Sequence, residues 1–234
     1  SYASYVDVST AMFSAFGTLA AIHEHAKTGR GQEVDTNLFT SAVTLFNFNL
    51  IEQALSKVDR VRTGNRAQSS CPSDIVRTKD GWIMIQTVGQ PLFERWAKLM
   101  GEDHWLEDPR FKSDVLRAKN GAVLSERTQQ WSSQYTTAEA LALLEEARVP
   151  AGPVYSPQQV LDDPHVQATK LLTPMEYPGA FGPVPVVVAP ARLSETPATL
   201  RRRPPTLGEH TQAIMEELGF SDGEIEAYRA NRVI

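Results

Sequence analysis

The sequence is poor in the residues that hold disulfides and thiolate metal sites. Its 234 residues include one cysteine, Cys71. A single thiol cannot form an internal disulfide, and this sparing use is typical of a reducing cytoplasm. We also find no secretory signal peptide and no apolar run that we expect to span a bilayer. These absences predict a soluble, cytoplasmic, globular protein.

Positive charge is also scarce. Lysine and arginine number 23 against 28 aspartate and glutamate residues, a formal net charge of -5 at pH 7. A negative field of this size does not favour nucleic acid or an anionic membrane, so a small metabolite is the expected partner. The generic phosphate-loop, dinucleotide and zinc-protease motifs are absent, and no metal is implied. The 41% hydrophobic content is enough for a real core in one large or two small domains.

Hydrophobic spacing and capping signals divide the chain into helices around a small sheet. Apolar residues recur at helical steps from Ser9 to Lys27, with a stop at Gly29. A second helix is predicted to be capped by Asn37 and to include Leu50. Asp-Gly between two β-rich runs predicts a hairpin at Asp80-Gly81. The polar segment from 56 to 73 is predicted to be a linker or a binding loop. Further predicted helices span Pro91–Met100 and Val115–Gln134, and capping boxes are predicted at Thr136/Glu139, Ser156/Gln159 and Ser221/Glu224.

Asp7 directly precedes the first predicted helix. One interpretation is an N-cap, whose carboxylate accepts hydrogen bonds from the following backbone N–H groups. The same place at the positive end of a helix keeps a carboxylate ionised, as covalent carboxylate catalysis requires. The two interpretations are physically compatible.

Several runs of the chain resemble the family III CoA-transferases, a group that includes formyl-CoA transferase, carnitine CoA-transferase and the related 2-methylacyl-CoA racemases. The resemblance starts at Asp7-Val8-Ser9-Thr10-Ala11, where the family carries its catalytic aspartate, and it covers nearly the whole chain. The other matching runs are 27–35 (KTGRGQEVD), 80–82 (DGW), 149–154 (VPAGPV), 163–167 (DPHVQ) and 207–211 (LGEHT).

The resemblance implies an α/β fold in which part of a Rossmann-like large domain is joined to a small α+β domain, within an interlocked homodimer. We expect residues 1–58 to end the large domain, 59–160 to form the small domain, and 161–234 to be a linker and C-terminal helices that return to the large domain. In the family the large domain begins upstream of the aspartate and holds most CoA contacts. The chain is therefore expected to be incomplete, or to be completed by another chain.

The implied function is transfer of coenzyme A, a co-substrate carried as acyl-CoA, to a small carboxylic acid through an aspartyl-CoA thioester on Asp7. The donor is expected to be succinyl-CoA or another dicarboxylyl-CoA. Two alternatives stay open: a 2-methylacyl-CoA racemase, in which the aspartate exchanges an α-proton, and a non-catalytic fragment or subunit.

Three further residues are predicted to bind substrate. Arg66 and Gln68 lie where transferases carry a glycine-rich loop over the active site, although here the glycines are largely absent, and an exposed linker is an equal alternative. Gln90 aligns with a glutamate near the racemase site, and this replacement favours transfer over racemisation. Glu209 and His210 belong to a family run, and a structural role at a helix start is expected for them.

Overall fold

The computed structural model describes residues 3–234, which form eleven α-helices and two small antiparallel sheets. The helices are α1 Tyr5–Thr28, α2 Leu38–Leu45, α3 Asn47–Ser56, α4 Gln90–Met100, α5 Asp114–Lys119, α6 Gly121–Ser132, α7 Thr137–Glu146, α8 Pro157–Asp162, α9 Pro164–Ala168, α10 Thr211–Glu217 and α11 Asp222–Ala230. The strands are β1 Ser73–Arg77, β2 Trp82–Gln86, β3 Ala151–Pro153, β4 Leu172–Met175 and β5 Val184–Val187. This mixed α/β architecture agrees with the predicted fold class.

The predicted hairpin is confirmed and forms the first two strands of a three-stranded sheet, in the order β1-β2-β3. Its loop has four residues rather than a two-residue Asp-Gly turn. It is closed by Thr78, whose N–H donates to the Gly81 carbonyl at 2.9 Å and whose hydroxyl accepts from the Gly81 N–H at 3.0 Å. The Asp80 carboxylate accepts from the Thr78 hydroxyl at 3.3 Å and from the Thr137 N–H at 2.7 Å. The hairpin loop is thereby fixed to the start of α7.

The main core lies between this sheet and the helices that follow it. An aromatic stack runs through it, with ring centroids 5.7 Å apart for Phe93 and Trp96 and 5.8 Å apart for Trp96 and Trp105. Every second residue of a strand points to the same face, so alternate residues of the hairpin face this core and complete it. The buried hydrophobic residues of this core are Cys71, Val76, Ile83, Ile85, Phe93, Trp96, Ala97, Met100, Phe111, Leu124, Trp131, Ala140, Leu144 and Val149.

Local signals in the sequence locate several helix ends correctly. All three predicted capping boxes are present, at Thr136, Ser156 and Ser221. Gly29 and Gly101 end α1 and α4 in the left-handed conformation, with φ of 70° and 72°.

The predicted helix Val115–Gln134 is wrong as a single element, because the chain breaks between α5 and α6. A Cβ at Gly121 would lie only 2.6 Å from the Cys71 Sγ atom and 3.1 Å from the Arg66 Cδ atom. This close approach is a tertiary requirement that helical periodicity does not report. The β4–β5 hairpin was not predicted either; its strands pair Pro174 with Pro185, and proline in a run argues against a strand.

The helices α1 to α3 carry many apolar side chains, yet they bury little of their surface within this chain. Of their described residues only Ser41 is buried, and Phe16 is 74% exposed. The second predicted helix ends earlier than expected, since a break at Phe46 separates α2 from α3. By length and composition α1 meets the criterion for a membrane-crossing helix, which corrects the expectation that no apolar run was long enough. Core helices of water-soluble domains meet the same criterion.

The proposed domain limits at residues 58 and 160 stay a prediction. The main core draws its members from residues 71 to 149, inside the expected small domain.

We predict that Leu124→Ala destabilises the chain by about 2–5 kcal/mol, because Leu124 is completely buried on α6 and its truncation leaves a cavity. The free energy of unfolding in urea measures this loss. Leu55→Ala is the matched control: Leu55 is 81% exposed on α3, and its truncation should change stability by only about 0.5 kcal/mol. Equal losses in the two variants would contradict the assignment of the core.

Candidate functional site

Asp7 lies in the first turn of α1, not at its cap. The helix begins at Tyr5, the N-cap residue is Ser4, and the Ser4 side chain does not cap the helix. The N-cap interpretation of Asp7 is therefore wrong, because the helix starts earlier than the apolar periodicity indicated. Asp7 is exposed, and its carboxylate has no hydrogen bond or ion pair among residues 3–234. It remains close to the backbone N–H groups at the positive helix end, which favours negative charge there.

The polar segment after α3 is a structured loop, held by Arg60 and Gln68. The Arg60 guanidinium forms an ion pair with Glu52, with Nε 2.7 Å from Oε2, and also donates to the Gln68 carbonyl. The hydrogen bond that Arg60 donates to the Glu52 carboxylate lowers the pKa of Glu52. The Gln68 side-chain amide donates in turn to the Val61 carbonyl. These contacts make the segment an ordered loop rather than an extended linker without internal contacts.

Arg66 and Gln68 line one groove of about 620 Å³, together with residues of α3 and α5. The Arg66 backbone is fixed because its carbonyl accepts from the Thr63 hydroxyl at 2.7 Å. Its guanidinium has no hydrogen bond or ion pair within the described part of the chain. The structure thus brings these two predicted residues together, while Asp7 is not among the residues that line this groove. Whether Arg66 or Gln68 touches a substrate stays a prediction.

Gln90 is the first residue of α4 and belongs to a different cluster. Its Oε1 atom accepts from the buried guanidinium of Arg117 at 2.9 Å, and its Nε2 atom donates to Glu94 at 3.2 Å. Arg117 also forms an ion pair with Asp114 at 2.7 Å. Both ends of the Gln90 amide therefore have protein partners, and its contact with a substrate stays a prediction. The Arg117 cluster was missed from sequence, because nothing in the local pattern marks a buried arginine.

Glu209 has the structural role expected for it, although it closes a turn before α10 rather than capping the helix. Its carboxylate accepts from the Arg203 guanidinium through two hydrogen bonds of 2.8 Å and from the Thr206 N–H at 2.8 Å. These contacts, that with Arg203 above all, lower the pKa of Glu209 to about 2. Arg203 also lies over the Tyr177 ring, 5.8 Å from its centroid. His210 occupies the N-cap position of α10 without a side-chain cap.

Residues that could hold a metal do not come together within residues 3–234, where no group of three histidine, cysteine or carboxylate side chains is found. Cys71 is buried, and burial raises the pKa of its thiol, so it stays protonated at neutral pH.

An aspartate in the first turn of a long helix, followed by an α+β region, is the order of elements that the resemblance to CoA-transferases predicts. The sequence model of the protein family described as "CoA-transferase family III" matches residues 1–211, and the chain belongs to this family.

Its relatives are enzymes that exchange CoA between acids. The chain is 32% identical over 230 residues to the succinyl-CoA–D-citramalate CoA-transferase of Chloroflexus aurantiacus, covering 97% of the chain and 57% of that enzyme. It is 30% identical to the succinyl-CoA:mesaconate CoA-transferase of Haloarcula hispanica, with 93% and 54% covered. The chain thus spans about half the length of the curated relatives it matches.

Solved structures support the same fold. A CAIB/BAIF family protein from Brucella suis superposes with a TM-score of 0.72 at 27% identity, over 93% of this chain and 56% of that protein.

We predict that Glu209 stabilises the chain in a pH-dependent way. Because its folded pKa of about 2 lies below the ordinary value of 4.5, its contribution is fully present above pH 4.5 and is lost as the pH falls toward 2. The difference in unfolding free energy between the parent chain and Glu209→Gln should therefore be constant near neutral pH and shrink below about pH 4.5.

The matched control is Glu217→Gln, since Glu217 is exposed and its side chain has no hydrogen bond to lose among the described residues. The unfolding free energies are measured at pH values about one unit apart between about pH 6 and about pH 3. If the difference between the parent chain and Glu209→Gln stayed constant over this range, the stabilising role of the ion pair would be contradicted.

Proposed function

We propose that this chain carries the nucleophile of an acyl-CoA:carboxylate CoA-transferase and that Asp7 is that nucleophile. The observation that carries the proposal is the state of its carboxylate: exposed, without a described hydrogen-bond partner, and in the first turn of a long helix. Membership of the family supplies the reaction class. A nucleophile needs a free lone pair, and the helix end provides N–H groups near which negative charge is stabilised.

The proposed reaction begins when a carboxylate oxygen of Asp7 attacks the thioester carbonyl carbon of the donor. The carbon–sulfur bond breaks, giving a mixed anhydride and CoA thiolate. The thiolate then attacks the aspartyl carbonyl carbon and expels the donor acid as a carboxylate. Asp7 is left as a CoA thioester, which conserves the free energy of the original thioester.

The second half of the cycle reverses these steps with a different acid. The carboxylate of the acceptor attacks the aspartyl thioester and again releases CoA thiolate. The thiolate attacks the acceptor carbonyl of the new anhydride, giving the product acyl-CoA and free Asp7. No oxidant, reductant or metal is needed, because every bond broken is matched by one formed between acyl carbon and oxygen or sulfur.

Small dicarboxylic acids are the proposed substrates. The citramalate and mesaconate enzymes are named for succinyl-CoA as donor and for a second diacid as acceptor. A formyl-CoA:oxalate CoA-transferase from a Bradyrhizobium strain is also similar, so a shorter acid is an alternative.

The complete enzyme is proposed to be a cytoplasmic homodimer in which further protein surface covers α1 to α3. Apolar side chains such as Met12, Phe16 and Phe39 are more than half exposed in this chain. Contiguous exposed apolar surface of this kind is typical of an interface. The length of the relatives is compatible with additional protein at that surface.

We predict that Asp7 forms a covalent adduct with acyl-CoA. The chain, alone and supplemented with the N-terminal region of a transferase relative, is incubated with succinyl-CoA and then with hydroxylamine. Intact-protein mass spectrometry should detect an aspartyl hydroxamate, because hydroxylamine traps anhydrides and thioesters of the carboxylate. The adduct should be absent in Asp7→Ala and retained in Asp35→Asn, which alters another exposed aspartate.

The same samples in deuterated water separate the alternatives. Exchange of the α-proton of an acyl-CoA without any adduct would overturn the proposal in favour of a racemase. Absence of both adduct and exchange in the supplemented protein would indicate a non-catalytic subunit.

A further inference from the structure

The groove between α3, the loop after it and α5 carries an excess of positive charge. Its charged side chains are Glu52, Arg60, Arg66 and Lys119. Glu52 and Arg60 neutralise one another through their ion pair. The Arg66 and Lys119 side chains have no hydrogen bond or ion pair in the described part of the chain. Two uncompensated cations therefore face one concave space.

The Arg66 side chain is held in place by the surrounding fold. Its stem passes over Gly121, where a Cβ would lie 3.1 Å from the Arg66 Cδ atom and 3.3 Å from its Nε atom. The following residue, Ala67, donates its N–H to the Ser73 carbonyl at 2.8 Å and so ties the loop to β1. Arg66 is half-buried, unlike a freely solvated surface arginine. Placing a guanidinium partly out of water without a counter-ion costs free energy, and an anionic ligand would offset that cost.

The rest of the groove suits a small molecule. Its volume is about 620 Å³, within the usual range for metabolite sites. The exposed Ser69 adds a hydroxyl, while Val58, Val61 and Val115 provide apolar walls. The arginine fork matches the two oxygens of a carboxylate or phosphate, and the lysine adds a second point charge.

We propose that Arg66 and Lys119 together bind an oxyanion of the substrates in this groove. The oxyanion has two possible sources, a carboxylate of the diacid or a phosphate of CoA, which share the same recognition chemistry. This inference rests on the proposed function for its choice of ligands, but it does not depend on Asp7 being the nucleophile.

Isothermal titration calorimetry of the chain at low ionic strength tests the proposal, with succinate in one arm and adenosine 3′,5′-bisphosphate in the other. We expect at least one ligand to bind, with its dissociation constant raised roughly tenfold in Arg66→Gln and in Lys119→Gln, since each variant removes a charge-assisted hydrogen bond. Arg66→Lys keeps the charge but loses the fork, and it should fall between the parent and Arg66→Gln. Added salt should weaken binding.

Arg62→Gln is the matched control, because Arg62 belongs to the same loop, is exposed and does not line the groove. Binding of succinate that depends on Arg66 and Lys119 identifies a carboxylate subsite, and the same dependence for the bisphosphate identifies a phosphate subsite. Either result supports the proposal. It is overturned if neither ligand binds, or if Arg62→Gln weakens binding as much as the groove variants do.

A parallel titration of Asp7→Asn separates this proposal from the catalytic one. If the groove binds its ligand independently, Asp7→Asn retains the parent affinity while the hydroxamate is lost. Unchanged unfolding midpoints in urea for the groove variants exclude a simple loss of folding as the cause.

Discussion

The buried guanidinium of Arg117 connects the starts of α4 and α5 with the segment around Phe111. It is 1% exposed, donates to the Phe111 carbonyl at 2.7 Å and to Asp114 at 2.7 Å, and lies 4.6 Å from the centroid of the Phe93 ring. Asp114 also accepts from the Gly89 N–H at 3.0 Å. A charge buried this deeply is tolerated only when several partners compensate it, so the starts of α4 and α5 are fixed relative to one another.

That constraint reaches the groove through α5. Arg117 faces the core while Lys119, two residues later on the same short helix, lines the groove. Arg60 and Glu52, which also line the groove, are held together by their ion pair. The fixed backbone around the groove limits the positions that Arg66 and Lys119 can take, and such preorganisation favours binding of a small anion.

Much of the local structure was predictable from the sequence, because capping boxes, helix-ending glycines and the hairpin depend on neighbouring residues. The errors arise where residues that are distant in the sequence determine the local conformation. Gly121 breaks a predicted helix because Cys71 and Arg66 pack against it. Lys119 gave no signal as a groove residue, since the groove that it lines with Arg66 exists only after folding. The catalytic role of Asp7 was predicted through family resemblance rather than through any pattern of charge or hydrophobicity.

Asp7 differs from the carboxylates of the chain that accept backbone hydrogen bonds. Asp80 and Asp163 accept hydrogen bonds from backbone N–H groups, chiefly those of Thr137 and Val166, and these bonds lower the pKa of each carboxyl. Such a carboxylate is stabilised and its oxygens are engaged, so it is a poor nucleophile. An N-cap position would have engaged Asp7 in the same way. In the first turn instead, Asp7 keeps the favourable field of the helix end while its oxygens stay free of described partners. The position is therefore better suited to attack on a thioester than the cap that the sequence suggested.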